Sequence, residues 1–193
     1  MKGISNSKSA GVKVRIAYLA VFIAGAGTMI VELTAGRFIS AYVGQSIYTW
    51  TAVIGVFMAG ISLGSYTGGR LSARCTPMKI LTALFMFACL ACVLIPYINR
   101  FAGNAGMMSR FPFSLRIIFH VTLVFAPFAL AMGAMMPAAS ALALSSSIEG
   151  GTVGKLYASG TAGSIAGTFF AGMCLMAMEI TAGRMVSRHM VIV

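Results

Sequence analysis

Charge is what this chain has least of. Only 9% of its 193 residues are charged, and just three are acidic. A soluble domain carries roughly 25% charged residues, so the deficit excludes an ordinary water-solvated globule and points to a bilayer protein. Cysteine is scarce as well. Of Cys75, Cys89, Cys92 and Cys174, three lie in apolar runs, and no disulfide framework is implied. Cys89 and Cys92 form a C-x-x-C, but one helical turn inside an apolar span is a packing position. A zinc site normally needs four ligands, and no second Cys or His pair lies nearby, so neither a metal nor another cofactor is expected. Long polar segments are missing too, which leaves no room for a second domain or a basic stripe. The 14 Lys+Arg, with a formal net charge of +11, therefore read as membrane-flanking charge and not as a nucleic-acid surface.

What the chain has is apolar length. It is 59% hydrophobic, with a mean hydropathy of +0.94. A hydrocarbon core of about 30 Å needs roughly 20 apolar residues in a helix. The runs at 16–39, 47–69, 80–98, 117–136 and 153–178 meet that length. The expected fold is all-α, a polytopic transmembrane helix bundle of about five spans occupying residues 16–184, with the lipid bilayer as its surroundings. Residues 1–15 form a basic lead with Lys2, Lys8, Lys13 and Arg15. That lead looks superficially like a signal peptide, but the long first run and the spans after it favour an uncleaved helix. The same cluster places the N-terminus in the cytoplasm of an inner or plasma membrane. Tyr42, Tyr48 and Trp50 then fall at the outer interface. Residues 185–193 make a short tail. Its nine residues give about 13 Å of helix, so it either ends outside or begins an incomplete sixth span.

Glycines mark helix faces. Gly60, Gly64 and Gly68 recur every four residues in the second run, and Gly160, Gly163 and Gly167 repeat the device in the fifth. Lipid gives no hydrophobic drive between helices, so small residues that let backbones approach become the contact surface. A sliding interface of a transporter is the alternative use. A nucleotide-binding reading of the fifth-run glycines fails, because it needs a preceding strand and a polar turn.

Glu32 is the sharpest single residue, lying about 24 Å along the helix from residue 16. Ionisable groups within a membrane face a partner or a cavity. Glu32 is therefore either a proton or cation site, or an interfacial carboxylate paired with an arginine. Arg37 is five residues on, roughly 140° around the helix, an imperfect partner. The segment E-L-T-A-G-R at 32–37 has a near copy, E-I-T-A-G-R, at 179–184. Glu32, Arg37, Glu179 and Arg184 could form an outer cluster, or the six-residue match could be coincidence. His120, near the start of the fourth run, is a proton carrier or a hydrogen-bonded packing residue. Pro127 and Pro137 permit a kink in that run. The abundant methionines read as adaptable packing.

The ordered motifs E-L-T-A-G-R, Y-V-G-Q-S-I-Y-T-W-T-A-V-I-G-V and G-I-S-L-G-S-Y-T-G-G-R-L-S-A-R, with M-G-A-M-M-P at 132–137 and V-G-K-L-Y-A-S-G-T-A-G-S-I-A-G-T at 153–168, resemble the membrane domain of the fused spermidine-synthase-like proteins. The resemblance spans about residues 16–178. It implies a major-facilitator-like helical domain. Members of that family continue into an aminopropyltransferase-like domain of Rossmann type, and nothing here matches its glycine-rich turn or its acidic residues. The resemblance therefore implies a chain with no catalytic residues, anchoring or assembling with a separate synthase-like subunit or as a homo-oligomer. A small transporter-like protein for a cationic or polyamine-like solute is the alternative, and membership of a spermidine synthase system by family association alone is a third.

Overall fold

The computed structural model describes residues 2–44, 46–104, 112–145 and 151–190. They form five helices: α1 (Lys2–Val43), α2 (Ile47–Ser72), α3 (Pro77–Asn104), α4 (Phe113–Leu144) and α5 (Thr152–Met190). No strand occurs among the described residues. The chain is an all-α bundle, and α1 to α4 are long and apolar enough to cross a membrane. The run at 153–178 lies on α5, whose side chains beyond 175 fall outside the described residues.

The helices outrun the apolar runs. The third run ends at residue 98, but α3 continues to Asn104, and the fourth extends at both ends, from Phe113 to Leu144. Backbone hydrogen bonding carries a helix beyond its greasy stretch, so hydropathy marks the span and not the helix. Residues 185–190 likewise continue α5, and residues 191–193 are outside the described set. Pro96 sits inside α3 and Pro127 and Pro137 inside α4, and each helix runs on through them.

The link from α1 to α2 shows how sequence sets local structure. Gly44 adopts φ +81°, the left-handed conformation that ends helices at low cost in glycine, and its N–H donates to the Ser40 carbonyl at 2.9 Å. Ser46 then caps α2, its hydroxyl accepting from the Thr49 N–H at 3.3 Å. The Thr49 hydroxyl reaches back to the Gly44 carbonyl at 3.1 Å. Further on, Pro77 opens α3 at the first helical position, where a missing N–H costs nothing.

Helix α4 is the centre of the bundle. Of its apolar window 56% is buried, against 22–33% for the other three, and it packs on α2, α3 and α1, while α5 packs on α1. Contact order gives the direction of each helix. Ser159 on α5 donates its hydroxyl to the Tyr18 carbonyl at 3.0 Å. Gly163 lies on Phe22 and Gly167 on Ala26, so α1 and α5 run parallel with a constant offset of 141 residues. Gly60, Gly64 and Gly68 lie on Ala129, Leu130 and Ala134, so α2 and α4 are parallel too. Trp50 lies over Gly36 and Ile61 lies beside the 21–29 stretch, so α1 and α2 are antiparallel. Directions alternate along the chain, as successive crossings of a bilayer require.

Both parallel pairs are glycine contacts. A Cβ at Gly64 would collide with the Leu130 carbonyl oxygen and stand 3.1 Å from the Ala134 nitrogen; one at Gly163 would collide with the Phe22 carbonyl. Such approach permits Cα–H···O contacts between backbones. Each pair also carries one hydroxyl-to-carbonyl bond, Ser65 to Gly133 at 3.0 Å and Ser159 to Tyr18. Most other Ser and Thr hydroxyls bond within their own helix, Thr28 to Ala24 at 2.7 Å and Thr122 to Ile118 at 2.7 Å among them. Such back-bonding satisfies hydroxyls without water, as a lipid environment demands; among the described residues the buried Ser72 hydroxyl is the exception, with no partner. The outward surface is apolar, with Met58, Leu63, Met86, Val93, Ile165 and Phe169 all exposed.

Candidate functional site

Two polar places interrupt the apolar interior. The first joins α1, α3 and α4. His120 is 1% exposed and Asn99 4%, and the His120 Nε2 lies 2.8 Å from the Asn99 Oδ1. The Asn99 Nδ2 donates to the Phe38 carbonyl at 3.0 Å. A carbonyl only accepts, so the amide nitrogen faces Phe38 and the amide oxygen faces the imidazole. The proton of that bond therefore belongs to Nε2, leaving Nδ1 as the second ring position. Tyr42 packs beside the imidazole with ring centroids 6.1 Å apart, and its own ring fills the space where Gly103 lacks a Cβ. Tyr42 thus turns its ring toward the bundle at the end of α1. Tyr48, 59% exposed, faces outward.

The second is a cavity of about 320 Å³ between α1, α4 and α5, touching Ile61 of α2. On α1 its wall is Val21, Ala24, Gly25, Thr28 and Met29. Glu32 lies four residues beyond Thr28, one turn toward the C-terminal end of α1 on the same face, and is half-buried. Helix α4 contributes Met132, Met135 and Met136, and α5 contributes Tyr157, Thr161 and Ser164 with Gly160. A carboxylate one helical turn beyond a cleft lined by thioethers and hydroxyls is a group that could draw a cation toward it.

The structure does not unite the sequence-predicted site residues. The His120–Asn99 pair meets α1 at Tyr42, beside the imidazole, and at the Phe38 carbonyl, bonded by Asn99, about 9–15 Å along that helix from Glu32, so the pair and Glu32 belong to separate places. Arg37 is exposed and stands roughly 140° around the helix from Glu32. The side chains of Glu179 and Arg184 lie outside the described residues. Their helix runs parallel to α1 with an offset of 141, whereas the two E-x-T-A-G-R segments are 147 apart, so the copies stand out of register by six residues, about 9 Å. Among the described residues no group of three or more His, Cys, Asp or Glu could hold a metal ion. Cys89 and Cys92 are exposed on α3.

Sequence reasoning missed Asn99 and the cavity. Asn99 directly follows the apolar run at 80–98, so hydropathy alone gives it no place in the span. Its signal was an uncharged polar residue only five positions before the true helix end. No protein-family model, curated protein or solved structure matches the chain.

Proposed function

We propose that this chain is the membrane domain of a spermidine-synthase-like system, a non-catalytic module that anchors or assembles with a separate synthase-like subunit. It resides in the inner or plasma membrane with its N-terminus in the cytoplasm. One observation carries the reading: the motifs behind the resemblance coincide with the bundle's contacts. E-L-T-A-G-R supplies Gly36 beneath Trp50, G-I-S-L-G-S-Y-T-G-G supplies the α2 face on α4, and S-G-T-A-G-S-I-A-G supplies the α5 face on α1. A chain with three acidic residues also lacks the means to hold a polycationic substrate for group transfer.

The cavity favours a second reading, a small transporter-like protein for a cationic or polyamine-like solute, because Glu32 stands at the end of its lining face. Purified chain in proteoliposomes separates the two. The module reading expects uptake of a labelled diamine and of tetraethylammonium no faster than in empty vesicles, for wild type and Glu32→Gln alike. Uptake by wild type that falls at least tenfold in Glu32→Gln contradicts it and establishes the transporter.

A further inference from the structure

Methionine is the commonest side chain at the cavity wall, with four among the lining residues. Met132, Met135 and Met136 share one face of α4 at one-turn spacing, and Met29 comes from α1. Met132 reaches across to α1, its Cε 3.7 Å from where a Cβ of Gly27 would stand. Met135 is 1% exposed and fills the core. Met29, Met132 and Met136 differ: they are half-buried and border empty space. Methionine used as filler bends into gaps, yet about 320 Å³ remains open beside these three. Their unbranched side chains have three rotatable bonds each, enough to turn sulfur toward a common guest.

We propose that Met29, Met132 and Met136 form a thioether site for a soft monovalent metal ion of the Cu(I) or Ag(I) type. Thioether sulfur selects such ions over hard cations, which prefer oxygen. No competing hard ligand set is present on the wall, where the only oxygens are hydroxyl and backbone groups. Thr28 is already committed to its own helix through the Ala24 carbonyl. The half-buried carboxylate of Glu32, one turn further along α1, offsets the ion's charge in a region where lipid cannot. Binding involves no change of oxidation state and no proton release, because a thioether carries no proton. The site goes beyond both functional readings, since it concerns occupancy and not flux, and the uptake experiment above can fail or succeed without deciding it.

Silver(I) is the probe, being resistant to oxidation, in chloride-free buffer. Cys75, Cys89, Cys92 and Cys174 are all exposed and their thiolates would compete, so the full chain is used with all four replaced by serine. Equilibrium dialysis of that protein in detergent should give one Ag(I) per chain, with affinity at least tenfold weaker in M132L/M136L. Leucine nearly conserves volume, a swap that cores tolerate well. The paired control M58L/M86L alters residues that are 67% and 69% exposed and should bind as the parent does. Silver should also raise the unfolding temperature of the parent and leave that of M132L/M136L unmoved. No stoichiometric binding by the parent, or equal binding by M132L/M136L, would overturn the assignment.

Discussion

Gly64→Leu is expected to cost the chain about 3 kcal/mol or more, at the upper end for overpacked cores, and to part α2 from α4. The new Cβ would fall on the Leu130 carbonyl oxygen, 3.0 Å from its carbon and 3.1 Å from the Ala134 nitrogen. These are backbone atoms of a helix buried on several sides, so no side-chain rotation relieves the clash. The helices must separate, which also breaks the Ser65 to Gly133 bond and pulls the neighbouring Gly60 and Gly68 off Ala129 and Ala134. Gly55→Leu, on the same helix, is the control. A Cβ there meets nothing within 4 Å, and it should be neutral or slightly stabilising because leucine is the better helix former. Unfolding of the purified chain in detergent, followed by loss of monodisperse elution on heating, reads both. Equal melting of the two variants would mean that α2 and α4 do not meet at this face.

The second large effect concerns the junction of three helices. Asn99→Leu removes two hydrogen bonds and strands the His120 Nε2–H, with a cost of about 2–3 kcal/mol, the range for an unsatisfied buried polar group. His120→Leu leaves the Asn99 amide oxygen unpaired but keeps its bond to Phe38, so it should cost less. The double variant should be more stable than the sum of the singles predicts, because two apolar residues leave nothing unpaired. A coupling of about 1 kcal/mol is expected, in keeping with interhelical bonds in membranes. Strict additivity would show that the imidazole and the amide do not interact.

The bundle was legible where its causes are local. Apolar length announces each span, and Gly44 with Ser46 announces the first turn. Glycines at one-turn spacing, three or four residues apart, mark the two faces that pair, but not their partners. Gly64 cannot say from its own surroundings that it meets Leu130. That follows only once alternation of direction makes α2 parallel to α4 and α1 parallel to α5. Helix ends were less legible because the ladder of backbone bonds ignores hydropathy, so that Asn99, one residue past the apolar run, still lies well inside α3. The cavity was invisible for a related reason. An empty volume is defined by what four helices fail to fill, and Met29 and Met132 look the same in sequence whether they plug a gap or border one. Glu32 could be recognised as unusual, and spacing alone puts it on one face with Thr28, but only the folded bundle shows that this face borders a cavity.

The central claim is a membrane bundle held by parallel α1–α5 and α2–α4 pairs. Disulfide trapping in carbonate-washed membranes tests it most directly, using a cysteine-free chain carrying Val21→Cys and Gly160→Cys. A Cβ on Gly160 would stand 2.8 Å from the Val21 Cγ1, so the pair should cross-link within minutes of mild oxidation, while Val21→Cys with Gly172→Cys, at a position that faces open space, should not. A chain released by carbonate, or one in which the Val21 and Gly160 positions fail to cross-link, would contradict the account.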